Sequence, residues 1–189
     1  MKTGTVEVID EDKTWENLRS EGKDWKEILS TVKVGHMALL RNLRGIFKEI
    51  DDAEFCRTTM DSLKKGVPGG KQFPFRYYSA YNAVKHDDDV NCKTIILDAL
   101  EECMDIACDN TPMLKGKTMC LSDNSGSAWG TIPSEYGTVR VAEIGNLSSV
   151  ITARNSEEGY VGEFGDKLLV TPVLKRDGVL SQAVAISKD

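Results

Sequence analysis

The sequence predicts an α + α/β protein, in which an array of helices is followed by the first part of an α/β sheet. Over residues 14–108 the apolar side chains recur at steps of three and four, which is the spacing of amphipathic helices. After Pro112 come short apolar runs bounded by Gly, Asp and Ser, which is typical of strands. Because Asn110, Thr111 and Pro112 interrupt the helical pattern, we divide the chain into domains of residues 1–112 and 113–189.

The first domain is predicted to contain helices that each carry one apolar stripe. They cover residues 14–32, 36–48, 51–65, 76–84 and 90–108, after an irregular acidic segment over residues 1–12. Gly66 to Gly70 is expected to end the helix that starts at residue 51, and His86 to Asp89 is expected to form a solvated loop. Helices that cannot bury their apolar faces alone suit stacked pairs.

The second domain is predicted to have the order β-α-β-β-α. A buried parallel strand over residues 117–121 precedes a helix over 136–153, strands over 159–164 and 167–171 that form a hairpin, and a last helix over 177–188. Three strands with so few helices are a thin core. An exposed sheet edge is expected, and such edges favour dimerisation or aggregation.

Composition excludes several classes of protein. The net charge of −6 argues against a nucleic-acid binder that relies on bulk charge, although a local basic face is compatible with it. No apolar run approaches the length needed to cross a membrane, and the first residues lack the apolar core of a secretory signal, so we expect a cytoplasmic protein. Five cysteines without a Cys-x-x-Cys pair, and only 2 histidines, argue against zinc and favour reduced thiols.

An oxygen-rich loop follows the first predicted strand. Asp123, Ser125 and Ser127 alternate in sequence, so one loop can direct their oxygens to a common point. A carboxylate and two hydroxyls are hard ligands that suit Mg²⁺ or Mn²⁺. The alternative is an ordinary turn in which Asp or Ser caps the next helix. With so few charged ligands, the predicted affinity for the ion is weak.

Several strings resemble the C-terminal part of the TROVE module of Ro autoantigen proteins. They are Thr-Trp-Glu-Asn-Leu at 14–18, Trp-Lys-Glu-Ile-Leu at 25–29, Met-Ala-Leu-Leu-Arg-Asn-Leu at 37–43 and Phe-Pro-Phe-Arg at 73–76. The Asp-x-Ser-x-Ser loop resembles the metal-ion-dependent adhesion site of the von Willebrand factor A domain, which follows that module in Ro proteins. The resemblance covers residues 14–189 and implies HEAT-like repeats followed by an incomplete, Rossmann-like A domain.

The resemblance implies an RNA-binding ribonucleoprotein component that binds small noncoding Y RNA and misfolded RNA in RNA quality control. Arg41, Asn42, Arg44 and Lys48 are the candidate RNA contacts; a solvated helix face explains them equally well. The early repeats of the family have no counterpart here. No residue is assigned to the threonine and aspartate ligands that the family draws from later loops. A truncated form of such a protein is therefore the first expectation, and a second chain completing the A domain is the alternative.

Two other functions compete with RNA binding. The A-type domain could be a protein-interaction module that engages an acidic partner through Mg²⁺, with the helices as scaffold. A metal-dependent phosphotransfer enzyme using Asp123 is the weakest alternative, because no base or nucleophile pair accompanies that carboxylate. We therefore expect recognition without catalysis.

Overall fold

A computed structural model describes residues 14–134 and 137–186, with the side chains of residues 132–139 excepted. The first half contains α1 (Trp15–Ser20), α2 (Trp25–Thr31), α3 (His36–Glu49), α4 (Ala53–Gly70), α5 (Pro74–Lys85) and α6 (Lys93–Cys108). The second half contains β1 (Leu114–Asp123), β2 (Thr131–Ser134), β3 (Gly137–Arg140), α7 (Val141–Arg154), β4 (Ser156–Phe164), β5 (Leu168–Pro172) and α8 (Val179–Ile186). The predicted lead-in over residues 1–12 lies outside the described residues. No helix within them is long and apolar enough to span a membrane.

The helix starts are set by local side chains, as the sequence predicts for Thr14. The Thr14 hydroxyl accepts a hydrogen bond from the Asn17 N–H at 3.3 Å. Asp24 and Asp52 do the same for α2 and α4, at 2.8 and 3.0 Å. Such caps satisfy N–H groups that have no partner within the helix. The predicted apolar stripes form one core cluster that includes Phe47, Tyr77 and Leu100.

The helix predicted to end in the run from Gly66 to Gly70 ends only at the last residue of that run, because α4 continues to Gly70 with Pro68 inside it. The glycines serve packing against the ring of His36. A Cβ atom at Gly66 or Gly70 would lie 2.6 or 2.5 Å from that ring. The ring in turn hydrogen-bonds the Tyr77 hydroxyl at 2.8 Å, and burial lowers the pKa of His36. Close contact between helices therefore explains this glycine-rich run.

The second half is a three-stranded sheet in the order β1-β4-β5, with β1 parallel to β4 and β4 antiparallel to β5. The predicted hairpin of the last two strands is confirmed. The predicted helix over 136–153 begins too early: α7 starts at Val141, and a β2–β3 hairpin precedes it. The last helix is also shorter than predicted, because α8 begins after Gly178.

The prediction of a buried first strand is wrong. β1 is parallel to β4 as expected, but most of its side chains are exposed. The helix α7 covers one face of the sheet, where Val161 packs, and α8 packs against α7 in the same core cluster. On the opposite face Met119 and Leu121 of β1 are 53% and 58% exposed. No described strand pairs with the outer edge of β1.

The two halves are joined by a compact set of polar contacts. The Asp105 carboxylate on α6 accepts the Val179 N–H at the start of α8, at 2.9 Å, and lies 3.6 Å from the Arg154 guanidinium. The Asn155 side chain donates to the Cys108 carbonyl at 2.7 Å. The helix α6 ends at Cys108 and the strand β1 begins at Leu114, so the predicted domain boundary at residue 112 lies between them. The division into two domains stays a prediction.

Candidate metal and nucleic-acid sites

The oxygen-rich loop leaves the carboxyl end of β1, the edge where open α/β sheets place their ligand sites. The Asp123 carboxylate accepts the Ser125 N–H at 2.9 Å. The hydroxyls of Ser125 and Ser127 lie 3.1 Å apart and are hydrogen-bonded to each other. The Asn124 N–H donates to the Phe164 carbonyl at 2.7 Å, which holds the loop against β4. The structure thus brings together the three oxygen-bearing residues selected from the sequence.

An amide pair formed by the half-buried Asn124 and the buried Asn146 fixes the position of this loop, and sequence reasoning missed it. The side chains of Asn124 and Asn146 exchange two hydrogen bonds, at 2.9 and 3.0 Å. The Ser122 hydroxyl donates to the same Asn146 oxygen at 2.6 Å. Asn146 is fully buried on α7, and Gly145 beside it leaves room for the Ser122 oxygen, which would lie 3.0 Å from a Cβ atom. Because the two asparagines are 22 residues apart, local spacing gave no signal.

The donor set fits a small hard cation at part of its coordination sphere. Adjacent ligands of octahedral Mg²⁺ lie about 3 Å apart at its usual metal–oxygen distance, close to the 3.1 Å between the two serine hydroxyls. Hydrogen bonds from the Ser125 hydroxyl and N–H lower the pKa of Asp123, so its carboxylate is charged at neutral pH. Within the described residues, His, Cys, Asp and Glu side chains form no metal-binding group of three or more. An ion here would depend on one carboxylate and two hydroxyls.

The candidate RNA contacts lie on α3, and three of the four share a face. Arg41, Arg44 and Lys48 are separated by three and four residues and are all exposed; we call these three residues the cation stripe. Asn42 does not belong to it, because its side chain donates to the Ala38 carbonyl of the same helix at 2.8 Å. Among the described side chains, Arg41 has no salt-bridge partner. It is the member of the cation stripe best placed to meet a phosphate.

The other two members of the cation stripe, Arg44 and Lys48, form salt bridges with an acidic residue opposite them. The Asp87 carboxylate lies 2.9 Å from the Lys48 ammonium and 3.6 Å from the Arg44 guanidinium, and Asp89 adds a 3.6 Å contact to Lys48. The hydrogen bond from Lys48 lowers the pKa of Asp87 and raises that of Lys48. The expectation of a merely solvated loop at residues 86–89 is therefore wrong for Asp87, whose side chain is only 16% exposed. Asp87 in this loop is therefore a counter-charge, within the same chain, for two residues of the cation stripe.

The seam between α3 and α5 extends this surface. His36 contacts Tyr77 at one end of the seam and Lys48 contacts Asp87 at the other, so the two helices run parallel. Arg76, exposed and without a described salt bridge, lies in the first turn of α5. The sequence signal that could have found the counter-charge was the run of acids directly after a helix.

Fold and sites together define a helical array joined to a small α/β sheet, with an oxygen-rich loop at the end of the first strand and a cation stripe on one helix. No protein-family model matches the sequence. No curated protein matches it either.

Among solved structures, the chain is similar to the "Crystal structure of Deinococcus radiodurans RO (RSR) protein", with a TM-score of 0.64 and 14% sequence identity. The alignment covers 91% of this chain and 39% of that one, so the chain spans well under half the length of that protein. This likeness shows a Ro-like fold across nearly all of the chain. The HEAT-like and Rossmann-like details and the assigned site residues stay predictions.

Proposed function

We propose that this protein binds single-stranded or small noncoding RNA as a ribonucleoprotein component. The observation that carries the proposal is the cation stripe of Arg41, Arg44 and Lys48, exposed on one helix of a Ro-like fold. Guanidinium groups match phosphate geometry with two parallel hydrogen bonds. Since the chain carries a net charge of −6, a local basic face is the part of its surface where a polyanion can approach.

The same family resemblance supports a more specific proposal for the RNA and its role. We propose that the bound RNA is of the Y RNA or misfolded type and that the protein acts in RNA quality control. Its role is recognition without catalysis, since the described residues beside the oxygen-rich loop supply no base or nucleophile pair to support hydrolysis. The Asp87 carboxylate pairs with Arg44 and Lys48. A phosphate can therefore approach Arg41 directly but must compete with Asp87 for the other two cations.

The test is a fluorescence-anisotropy titration with a labelled single-stranded RNA at low and moderate salt. Replacing the cation stripe with three alanines should abolish most of the salt-sensitive binding. The matched control is the triple alanine variant of Lys115, Lys167 and Lys175, which removes three exposed charges from the other half of the chain. If both triple variants lose binding equally, only net charge matters and the stripe is not the site. If the wild-type chain does not bind at low salt, the RNA proposal fails.

A second candidate function rests on the spacing of the Ser125 and Ser127 hydroxyls, which suits Mg²⁺. Asp123, Ser125 and Ser127 would hold the ion, and the ion would supply an open coordination position for a carboxylate of an acidic protein partner. Such a module would lose its partner on addition of EDTA, whereas RNA binding would respond mainly to ionic strength. A second chain that supplies further ligands belongs to this candidate and stays a prediction.

A further inference from the structure

Neither function explains why the β1-β4-β5 sheet has an apolar face that is exposed. Strand register fixes its composition, because residues opposite each other across the ladder share a face. Met119, Tyr160 and Pro172 form one row, Leu121, Gly162 and Val170 the next, and Asp123, Phe164 and Leu168 the third. Lys117 and Glu158 form the row at the other end. The face is thus apolar in its centre, with a lysine at one end of β1 and an aspartate at the other.

No element among the described residues covers this face of the sheet. All-parallel sheets occur almost only where both faces are covered, and in this mixed sheet, whose β1 and β4 are parallel, five large apolar residues are between 41% and 58% exposed. They are Met119, Leu121, Phe164, Leu168 and Val170. At about 180 Å² for a large side chain, they expose roughly 500 Å² of apolar surface. Pairing two such faces would bury about 1,000 Å² or more, which reaches the lower limit for a specific interface.

We propose that this face is covered by a second copy of the chain, stacked with its strands antiparallel about a twofold axis that crosses the strands between Met119 and Leu121. A twofold interface must be self-complementary, and this arrangement is. Each Met119 meets the partner's Leu121, and each Lys117 meets the partner's Asp123. The ring of Tyr160 meets the partner's next row, where the side chains of Leu121 and Leu168 lie over Gly162.

The charges at the two ends of β1 select this arrangement over the alternative. Lys117 is 74% exposed, although it forms a 2.9 Å pair with Glu158 of the neighbouring strand, and Asp123 is also exposed. With the axis along the strands and over β4, β1 would face the partner's β5, so Tyr160 would meet the partner's Tyr160 and Lys117 would have no Asp123 opposite it. With the axis across the strands, two Lys–Asp contacts form by symmetry. The proposal is independent of RNA binding.

The experiment is sedimentation equilibrium across a wide protein concentration range, with EDTA present so that no metal competes for Asp123. The proposal expects a species of twice the 20.9 kDa chain mass and a dissociation constant raised by at least about tenfold in Leu121→Asp, since symmetry applies the substitution twice. Phe73→Asp is the matched control, because Phe73 is 64% exposed but lies on the helical half; it should leave the dimer intact.

Charge reversal tests the axis itself. Lys117→Asp and Asp123→Lys should each raise the dissociation constant by about fivefold or more, and the double variant should return to within about twofold of the wild-type value, because both contacts are rebuilt with opposite sign. A chain that stays monomeric at the highest concentration overturns the proposal. So does mass that grows without limit, which would indicate pairing along the free edge of β1. Loss of the dimer in Leu121→Asp without any effect of charge reversal refutes the antiparallel axis.

Discussion

Removing the counter-charge at Asp87 should strengthen RNA binding, which is the opposite of what most substitutions at a binding surface do. Asp87 holds Lys48 at 2.9 Å and Arg44 at 3.6 Å, so a phosphate must compete with it for both cations. Asp87→Asn removes the negative charge, while the amide oxygen can still accept the Asp89 N–H that the carboxylate accepts at 3.3 Å. The substitution therefore removes the carboxylate that holds both cations and leaves Lys48 with only its 3.6 Å contact to the exposed Asp89, with little change to the loop.

The size of the effect follows from counterion release. Each phosphate neutralised on a single strand contributes about 0.7 to the slope of log K against log salt, so two further contacts steepen that slope by about 1.4. The advantage of Asp87→Asn over wild type should then shrink roughly sevenfold between about 50 and 200 mM salt. Fluorescence anisotropy with labelled oligouridine measures both the gain at low salt and its loss as salt rises.

The matched control for this prediction lies next to it in the sequence. Asp88 carries the same charge but pairs with Lys93 at 3.0 Å, away from the cation stripe. Asp88→Asn should change RNA affinity much less and should leave the slope near its wild-type value. Equal gains in both variants would mean that only net charge matters. No gain in Asp87→Asn would refute the assignment of Arg44 and Lys48 as phosphate contacts.

Two further predictions concern the joint between the halves and the oxygen-rich loop. Asp105→Ala should lower the free energy of unfolding by about 1–2 kcal/mol, measured in urea, because the Val179 N–H loses its acceptor. The control is Asp109→Ala, at an exposed residue directly after the same helix; it should change the free energy of unfolding by less than about 0.5 kcal/mol, and equal effects of the two substitutions would rule out the cap. Mn²⁺ titrated against water-proton relaxation should reveal one weak site that Asp123→Ala abolishes and Asp166→Asn preserves, and unchanged Mn²⁺ binding in Asp123→Ala would exclude this loop.

The elements that sequence reasoning predicted well are those decided by local chemistry. Thr14 caps α1 because its hydroxyl and the Asn17 N–H are neighbours along the chain. Asp123, Ser125 and Ser127 converge because two-residue spacing within one loop keeps their oxygens close. In both cases the interacting groups are within four residues of each other, so the sequence alone contains the geometry.

The elements that were missed depend on distant parts of the chain. Gly66 looks like a helix terminator, but its lack of a side chain accommodates His36 from another helix. The apolar alternation of Met119 and Leu121 predicts a buried strand, and nothing local reveals that no described helix covers that face. Asp87 neutralises a helix about forty residues earlier, a pairing that only the parallel packing of α3 and α5 creates.

The joint around Asp105 also has a mechanical consequence. Asp105 anchors the first turn of a helix that begins 74 residues later in the chain, and Arg154 reaches both Asp105 and the Asp177 carbonyl. A force applied at the end of α8 is therefore passed directly into α6, bypassing the strands between them. Tension on this end of the chain would strain the helical array before it could peel β5 from the sheet.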